Sequence, residues 1–469
     1  MTNFHVYPQY IVLRNSKYVA SQDTPADKEL YKVRRTALYR VLLPFVIMLL
    51  LCACTKVPSG IQEQQTNDVV GKHEKTTLRF ISSWGGVDSK AEALKSILDK
   101  FEANNADITV INESLFGEDF LPKIKTDFAS GNDPDVFGLW PGSDIRTLID
   151  AGKVADLTGL LMDNPDWKRS FNPGMWDYTT YNARIYGLPV EVMFECMFIN
   201  KDLFERYNVP TPSSFEDLKA AVAIFKENGI VPIAFNTYSE GTYLYQNLIA
   251  MIGGKNDTEF PFKDGQIKPS HLTALQYIKE LYDIGAFPEN CFTMTNNERN
   301  ILFKEKKAAM IVQGSWFIGE FDVDDYTVDI IRFPYVDGYD NYKGAMVYGL
   351  GGGSFHLSTA AAEDEARYEA AVRLLKELTS AETAAYYATE TGMISNVNID
   401  SYNIEYRRMT IKGKRMIRES DMLVGPLDSF VDRSSWEEDI AKQFPYFLSG
   451  TITEEELWAN AIENGIISD

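Results

Sequence analysis

Five large aromatic residues, Trp84, Trp140, Tyr243, Trp316 and Trp436, and four acids, Asp88, Asp144, Glu191 and Glu240, are the side chains best suited to chemistry in this chain. Each aromatic follows a strand end or opens a helix near Gly or Ser, as in Gly314-Ser315-Trp316 and Trp140-Pro141-Gly142-Ser143-Asp144. A flat ring offers an apolar face for C–H groups, and a carboxylate accepts hydrogen bonds from hydroxyls. That mixture suits a polyhydroxylated ligand held in a cleft. The same acids admit a second chemistry: two carboxyl groups at a set separation hydrolyse a glycosidic bond, and a sequence does not measure separations. Each tryptophan also has an ordinary alternative, a place in a hydrophobic core.

Other chemistries find little support. Gly349-Leu350-Gly351-Gly352-Gly353 invites a dinucleotide reading, but Ser354–Leu357 reads as extended where that fingerprint needs a helix. Close backbone approach to a ligand is a better use for Gly351 and Gly352. No GxSxG, HExxH or Walker A pattern occurs, and Asp322–Asp325 lacks the glycine of a calcium loop. The four cysteines, Cys52, Cys54, Cys196 and Cys291, contain no CxxC pair, and the four histidines are scattered, so neither a metal nor another cofactor is expected. Cys196 and Cys291 sit in apolar contexts and read as buried thiols, with a disulfide between them left open. The net charge of −21 and a basic cluster confined to Lys32, Arg34, Arg35 and Arg40 argue against nucleic acid as a partner.

The elements that position these residues alternate. A strand at Thr77–Ser83 is followed by a helix with Ala91, Leu94, Ile97, Leu98 and Phe101 on one face, then a strand at Ile108–Ile111. A second helix carries Phe120, Leu121, Ile124 and Phe128, and Asp135–Trp140 is a buried strand. Such alternation implies a parallel α/β sheet, with ligands collecting at the carboxyl ends of its strands. Ser213, three residues before Glu216, predicts a capping box. At 469 residues the chain exceeds one ordinary core, and 45% apolar residues are ample for two.

The stretch Tyr181–Phe204 (YNARIYGLPVEVMFECMFINKDLF) joins these parts: a Gly187-Leu188-Pro189 corner precedes an apolar run that contains Glu191 and Glu195. It resembles the crossover of bacterial extracellular solute-binding proteins, the sugar-binding components of ABC transporters, in which a G-x-P corner leads to a strand ending in an Asn-Lys-Asp-Leu-Phe-like run. Here that run is Asn200-Lys201-Asp202-Leu203-Phe204, and Ala308-Ala309-Met310 with Gly314-Ser315-Trp316 matches a second family element. The resemblance covers Thr76 to the C-terminus. It implies an α/β fold of two lobes, each a mainly parallel sheet flanked by helices, with a ligand cleft between them. The lobes are expected at 76–187 with 332–388 and at 188–331 with 389–469, crossing near Leu188–Glu191, Ile331–Tyr335 and Ala388–Met393. By the same resemblance Trp316, Trp140 and Asp144 fall on ligand-contacting positions, with Glu240, Tyr243 and Trp436 placed more loosely. The implied protein is a monomer and not an enzyme; it captures a carbohydrate, such as an oligosaccharide, for a membrane permease. A surface-anchored glycoside hydrolase and a carbohydrate-adhesion lipoprotein are the alternatives.

Val41–Ala53 (VLLPFVIMLLLCA) is apolar and follows basic residues; at 13 residues it is short for a membrane span and suited to a signal-peptide core. Leu51-Cys52-Ala53-Cys54 resembles a bacterial lipobox, which implies lipidation of Cys54 and a protein anchored on the extracellular face of the membrane. Residues 1–53 then form the signal, with translation expected to begin near Leu30 or Val33, and 54–75 form a polar tether. The anchor is checked by Cys54→Ala: fatty-acid probe labelling and membrane association should both be lost, and unchanged labelling contradicts it.

Overall fold

The computed structural model describes residues 75–467, so the segments up to residue 74 that are expected to be a signal peptide and a tether, with Cys54, lie outside the described residues. Twelve strands carry the argument: β1 (Thr76–Ile81), β2 (Ile108–Asn112), β3 (Val136–Gly138), β4 (Leu188–Pro189), β5 (Glu191–Asn200), β6 (Val231–Ala234), β7 (Ala308–Gly314), β8 (Val328–Ile331), β9 (Ala345–Leu350), β10 (Ser354–Leu357), β11 (Ile394–Ser395) and β12 (Met422–Val424). They form a five-stranded sheet in the order β2-β1-β3-β10-β4 and a seven-stranded sheet in the order β12-β9-β5-β7-β6, with β8 and β11 also paired to β5.

Each sheet has its own core. The first gathers Leu78, Phe80, Leu94, Phe101 and Val136 with Leu374 and Leu378, and the second gathers Met197, Ile199, Phe225, Leu248, Leu275 and Phe447. The amphipathic helix read at Ala91 is α1 (Ala91–Asn104), and it buries Ala93, Leu94, Ile97, Leu98 and Phe101. The second, α2 (Phe120–Ser130), buries Phe120, Leu121, Ile124 and Phe128, and it is followed by α3 (Ser143–Asp150).

Neither sheet is mainly parallel, which corrects the expectation. β1 runs parallel to β2 and β3, but β10 lies antiparallel to both β3 and β4. In the second sheet β5 is antiparallel to β7, β8, β9 and β11, while β6–β7 and β9–β12 are parallel. The cause is β5 itself. The chain arrives from the first sheet through Leu188–Pro189 and runs ten residues across the second, opposite in direction to its neighbours.

The return to the first sheet also comes later than Ile331–Tyr335. β9 still pairs with β5 through Tyr348, Gly349 and Leu350, and the first sheet resumes only at Ser354. Farther on, Ile394 and Ser395 pair with β5, yet Val397 and Ile399 belong to the first core. The capping box at α4 (Phe215–Glu227) sits one residue later than read. Ser214, with extended backbone, accepts from the Asp217 amide at 3.1 Å, and Asp217 Oδ2 accepts from the Ser214 amide at 3.0 Å. Ser213 instead donates its hydroxyl to that carboxylate at 2.8 Å. Cys196 and Cys291 are free and buried. Among the described residues no helix is long and apolar enough to cross a membrane.

Candidate functional site

β5 is buried along its whole length, and its alternation explains the site. Phe194, Cys196 and Phe198 turn to one face and join a core with Ile311, Phe317 and Ile330. Glu191, Met193 and Glu195 turn to the other and line a cavity of about 330 Å³. That cavity draws its walls from both sheets. Trp84 and Asp88 follow β1, Trp140 follows β3, Trp316 follows β7, and Gly351 and Gly352 lie between β9 and β10. Glu240 and Tyr243 stand at the entrance to α5 (Tyr243–Glu259), and Asp428 and Arg433 follow β12.

All the residues singled out from the sequence line this cavity except Asp144 and Trp436. Trp436 is fully buried, stacked on Tyr245 at 6.0 Å, and its Nε1–H donates to Thr242 Oγ1 at 3.1 Å, so it is a core residue. Asp144, in the first turn of α3, is buried between two cations: Arg433 Nε at 3.0 Å and Lys125 Nζ at 2.9 Å. Arg433 also donates through Nη1 to Asp428 Oδ2 at 2.7 Å and lies over the Trp140 ring at 5.4 Å. This guanidinium thereby ties α3, beside the first sheet, to the segment that leaves the second. Across the cavity Ser89 Oγ donates to the carbonyl of Trp316 at 3.3 Å, a second tie between the two sheets' segments.

The aromatic rings differ in availability. Trp84 is only 2% exposed and packs edge-on against Phe355 and Tyr387, with centroids at 5.4 and 5.1 Å. One face of Trp140 is covered by Arg433. Trp316 is half-buried and meets Tyr243 edge-on at 5.7 Å, so these two form an aromatic corner in the cavity wall. Gly314 permits that corner, because a Cβ there would strike the Trp316 ring. The glycine strap serves the neighbouring side chains as well: a Cβ on Gly351 would lie 2.5 Å from Glu191 Oε2, and one on Gly353 2.5 Å from Trp84.

Two buried charge clusters occupy the floor. Lys90 Nζ sits 3.3 Å from Glu191 Oε1 and 3.6 Å from Asp88 Oδ1, with all three side chains largely buried. Burial alone would depress the Lys90 pKa, but Asp88 and Glu191 outweigh it and hold it above its ordinary value. Glu191 is itself raised, chiefly by burial, with Lys90 opposing. Glu195 has no such cation. Its Oε2 accepts from Asn247 Nδ2 at 2.7 Å, its Oε1 has no hydrogen-bond partner, and burial followed by the charge of Asp428 pushes its pKa well above the ordinary 4.5. Glu240 Oε2 accepts from Arg299 and Gln313, both at 2.7 Å.

Sequence reasoning missed Glu195, Asp428 and Arg433 as site residues. For Glu195 a signal existed: it lies four residues after Glu191 on one strand, which puts both acids on the same face. Asp428 and Arg433 sit in an irregular segment without periodicity, and only the fold brings them to the cavity.

Known proteins place this arrangement. The family described as bacterial extracellular solute-binding protein matches residues 87–385, more than half of the chain. The chain belongs to that family. Its members bind solutes and are not enzymes. A galactooligosaccharide-binding protein of Bacillus subtilis (strain 168) is 24% identical over 62% of this chain and 68% of its own length. The maltodextrin-binding protein MdxE of the same organism is 27% identical over 48% and 53%. A putative binding protein of Brucella abortus (strain 2308) is 27% identical, and the chain spans about half of its length, 52%. Among solved structures, one from a study of xylan utilisation by Caldanaerobius polysaccharolyticus superposes with a TM-score of 0.73 at 24% identity, covering 83% of this chain and 99% of that one. The maltose-bound MalE3 of T. maritima superposes with a TM-score of 0.68 at 21% identity, covering 83% and 98%. This solute-binding chain therefore has the two-lobed fold of the MalE-like proteins.

Glu195 gives the site a pH signature. Because its folded-state pKa lies above the unfolded one, its contribution to stability is fully present below pH 4.5 and is lost as pH rises through the folded value. Glu195→Gln keeps the shape and the Asn247 contact but cannot ionise. The variant should match the wild type near pH 4 and become the more stable by up to about 1.4 kcal/mol per pH unit above that. Denaturant titrations of both proteins from pH 4 to pH 8 check this, and a constant difference contradicts a protonated Glu195.

Proposed function

We propose that this chain captures a carbohydrate, an oligosaccharide of short length, and delivers it to an ABC permease from a lipid-anchored position outside the cell membrane. The observation that carries the reading is the cavity between the two sheets. There the Trp316–Tyr243 corner stands beside the carboxyls of Asp88, Glu191 and Glu240, so an apolar face and hydroxyl-accepting groups meet in one enclosed space. The printed names of the galactooligosaccharide- and maltodextrin-binding relatives support the same class of ligand. Lipid anchoring rests on the Leu51–Cys54 motif alone.

The working motion is a hinge closure in which lobes built on the two sheets separate to admit ligand and shut around it. Their boundaries are proposed at Val190, between Leu350 and Ser354, and around Ala388–Met393. The first two are where the chain changes sheet, and the third is where it leaves the first core for Ile394. The contacts of Arg433 with Asp144 and of Ser89 with Trp316 would break on opening.

Isothermal titration against a panel of mono- and oligosaccharides tests the function, with Trp316→Ala as the probe of the site. A panel member should bind the wild type, and the variant should lose more than ~10-fold in affinity, as expected when an interface anchor worth ~2 kcal/mol is removed. A large fall in melting temperature with affinity unchanged in the folded fraction would remove Trp316 from the site. Heat-silent titrations across the panel would overturn carbohydrate as the ligand.

A further inference from the structure

The charge arrangement of the cavity narrows the ligand, on the reading that it holds a carbohydrate. Every cation that lines it is already committed to carboxylates: Lys90 to Asp88 and Glu191, Arg433 to Asp144 and Asp428, and Lys442 to Glu438. None of these reaches Glu195. That side chain is 2% exposed, lines the cavity, and presents Oε1 without a hydrogen-bond partner. A buried carboxyl oxygen left unpaired is costly, so the site is incomplete until a ligand group satisfies it. Asp428, a second carboxylate in the same cavity lining, adds negative charge that acts on Glu195, which makes an anionic ligand group unfavourable there and a cationic one favourable. A bare metal ion is a poor candidate, because among the described residues no three His, Cys, Asp or Glu side chains converge as a metal site requires. An organic cation remains.

We infer that the cavity prefers an amino sugar, a carbohydrate whose protonated primary amine donates to Glu195 Oε1. An ammonium offers three donors and a full positive charge, where a hydroxyl offers one donor and none; its arrival favours the ionised form of Glu195, which releases its proton to solvent as the pair forms. Asp428 adds attraction, and Met193 lies between Glu191 and Glu195 on the same face of β5. The Lys90 cluster remains free for the hydroxyls of the rest of the sugar.

Calorimetric titration of the full chain with matched sugars tests this: glucosamine against glucose, galactosamine against galactose, and a β-1,4-linked glucosamine trimer against its N-acetylated and cellotriose counterparts. In at least one set the amine member should bind 10-fold or more tighter than its neutral partners. In Glu195→Gln the amine member should bind no tighter than its neutral partners measured in the same variant, and the variant's melting temperature at pH 7 should be no lower than that of the wild type. Equal or weaker binding of every amine overturns the inference, as does an advantage that persists in Glu195→Gln. Neutral sugars binding alone would remove the amine and leave the carbohydrate reading intact; the wider panel described above judges that reading separately.

Discussion

The constraint from which the rest of this structure follows is the burial of two carboxyl groups on one face of one strand. Glu191 and Glu195 are 3% and 2% exposed on β5, a strand otherwise made of Val, Met, Phe, Cys and Ile up to its last residue, Asn200. Uncompensated, such groups cost more than a typical domain tolerates. The chain answers each acid differently. Glu191 receives Lys90, a residue from the loop after β1, which commits the loop of the first sheet to the crossover strand. It also requires glycine at 351, because nothing larger passes its carboxylate. Glu195 receives only the amide of Asn247 and keeps one oxygen open toward the cavity. The first acid is therefore structural as well as site-lining, and the second is the more reactive to what enters.

Around that floor, polar contacts link segments of the two sheets, beside a small apolar cluster of Met175, Val192 and Leu350. Arg433 is the largest of these, spanning Asp144 and Asp428 while covering Trp140. Such a contact is reversible: a guanidinium and carboxylates at the edge of a cleft are rehydrated when it opens, whereas buried Leu and Phe would not be. Separate cores beneath each sheet and a polar seam between them are what a hinge-bending binder needs. The chain passes between the two sheets at Leu188–Glu191, again between Leu350 and Ser354, and again before Ile394.

Much of this was legible before the structure. The amphipathic faces of α1 and α2, the strands around Thr77, Ile108 and Val136, and the extended Ser354–Leu357 follow from periodicity of burial, which is local. The strand directions were not legible, because the antiparallel placement of β5 is a matter of which distant strands accept it. Asp144 and Trp436 show the same limit: their sequence contexts resemble ligand positions, but Lys125, Arg433, Thr242 and Tyr245, which occupy them, are contributed by other parts of the chain. Glu195 was legible, since its four-residue spacing from Glu191 puts both acids on one face of a strand. Arg433 lies in a segment without period, so only tertiary contact assigns it a role.

The Glu191–Met193–Glu195 face is the proposed floor of the ligand site. The most direct measurement is a crystal structure of the chain grown with the tightest-binding sugar from the titrations. The expected result is a sugar ring in the cavity between the two sheets, against Trp316, with a polar group of the ligand within hydrogen-bond distance of Glu195 Oε1. A ring bound elsewhere, with Glu195 Oε1 still unpartnered at the floor of an occupied cleft, would contradict it.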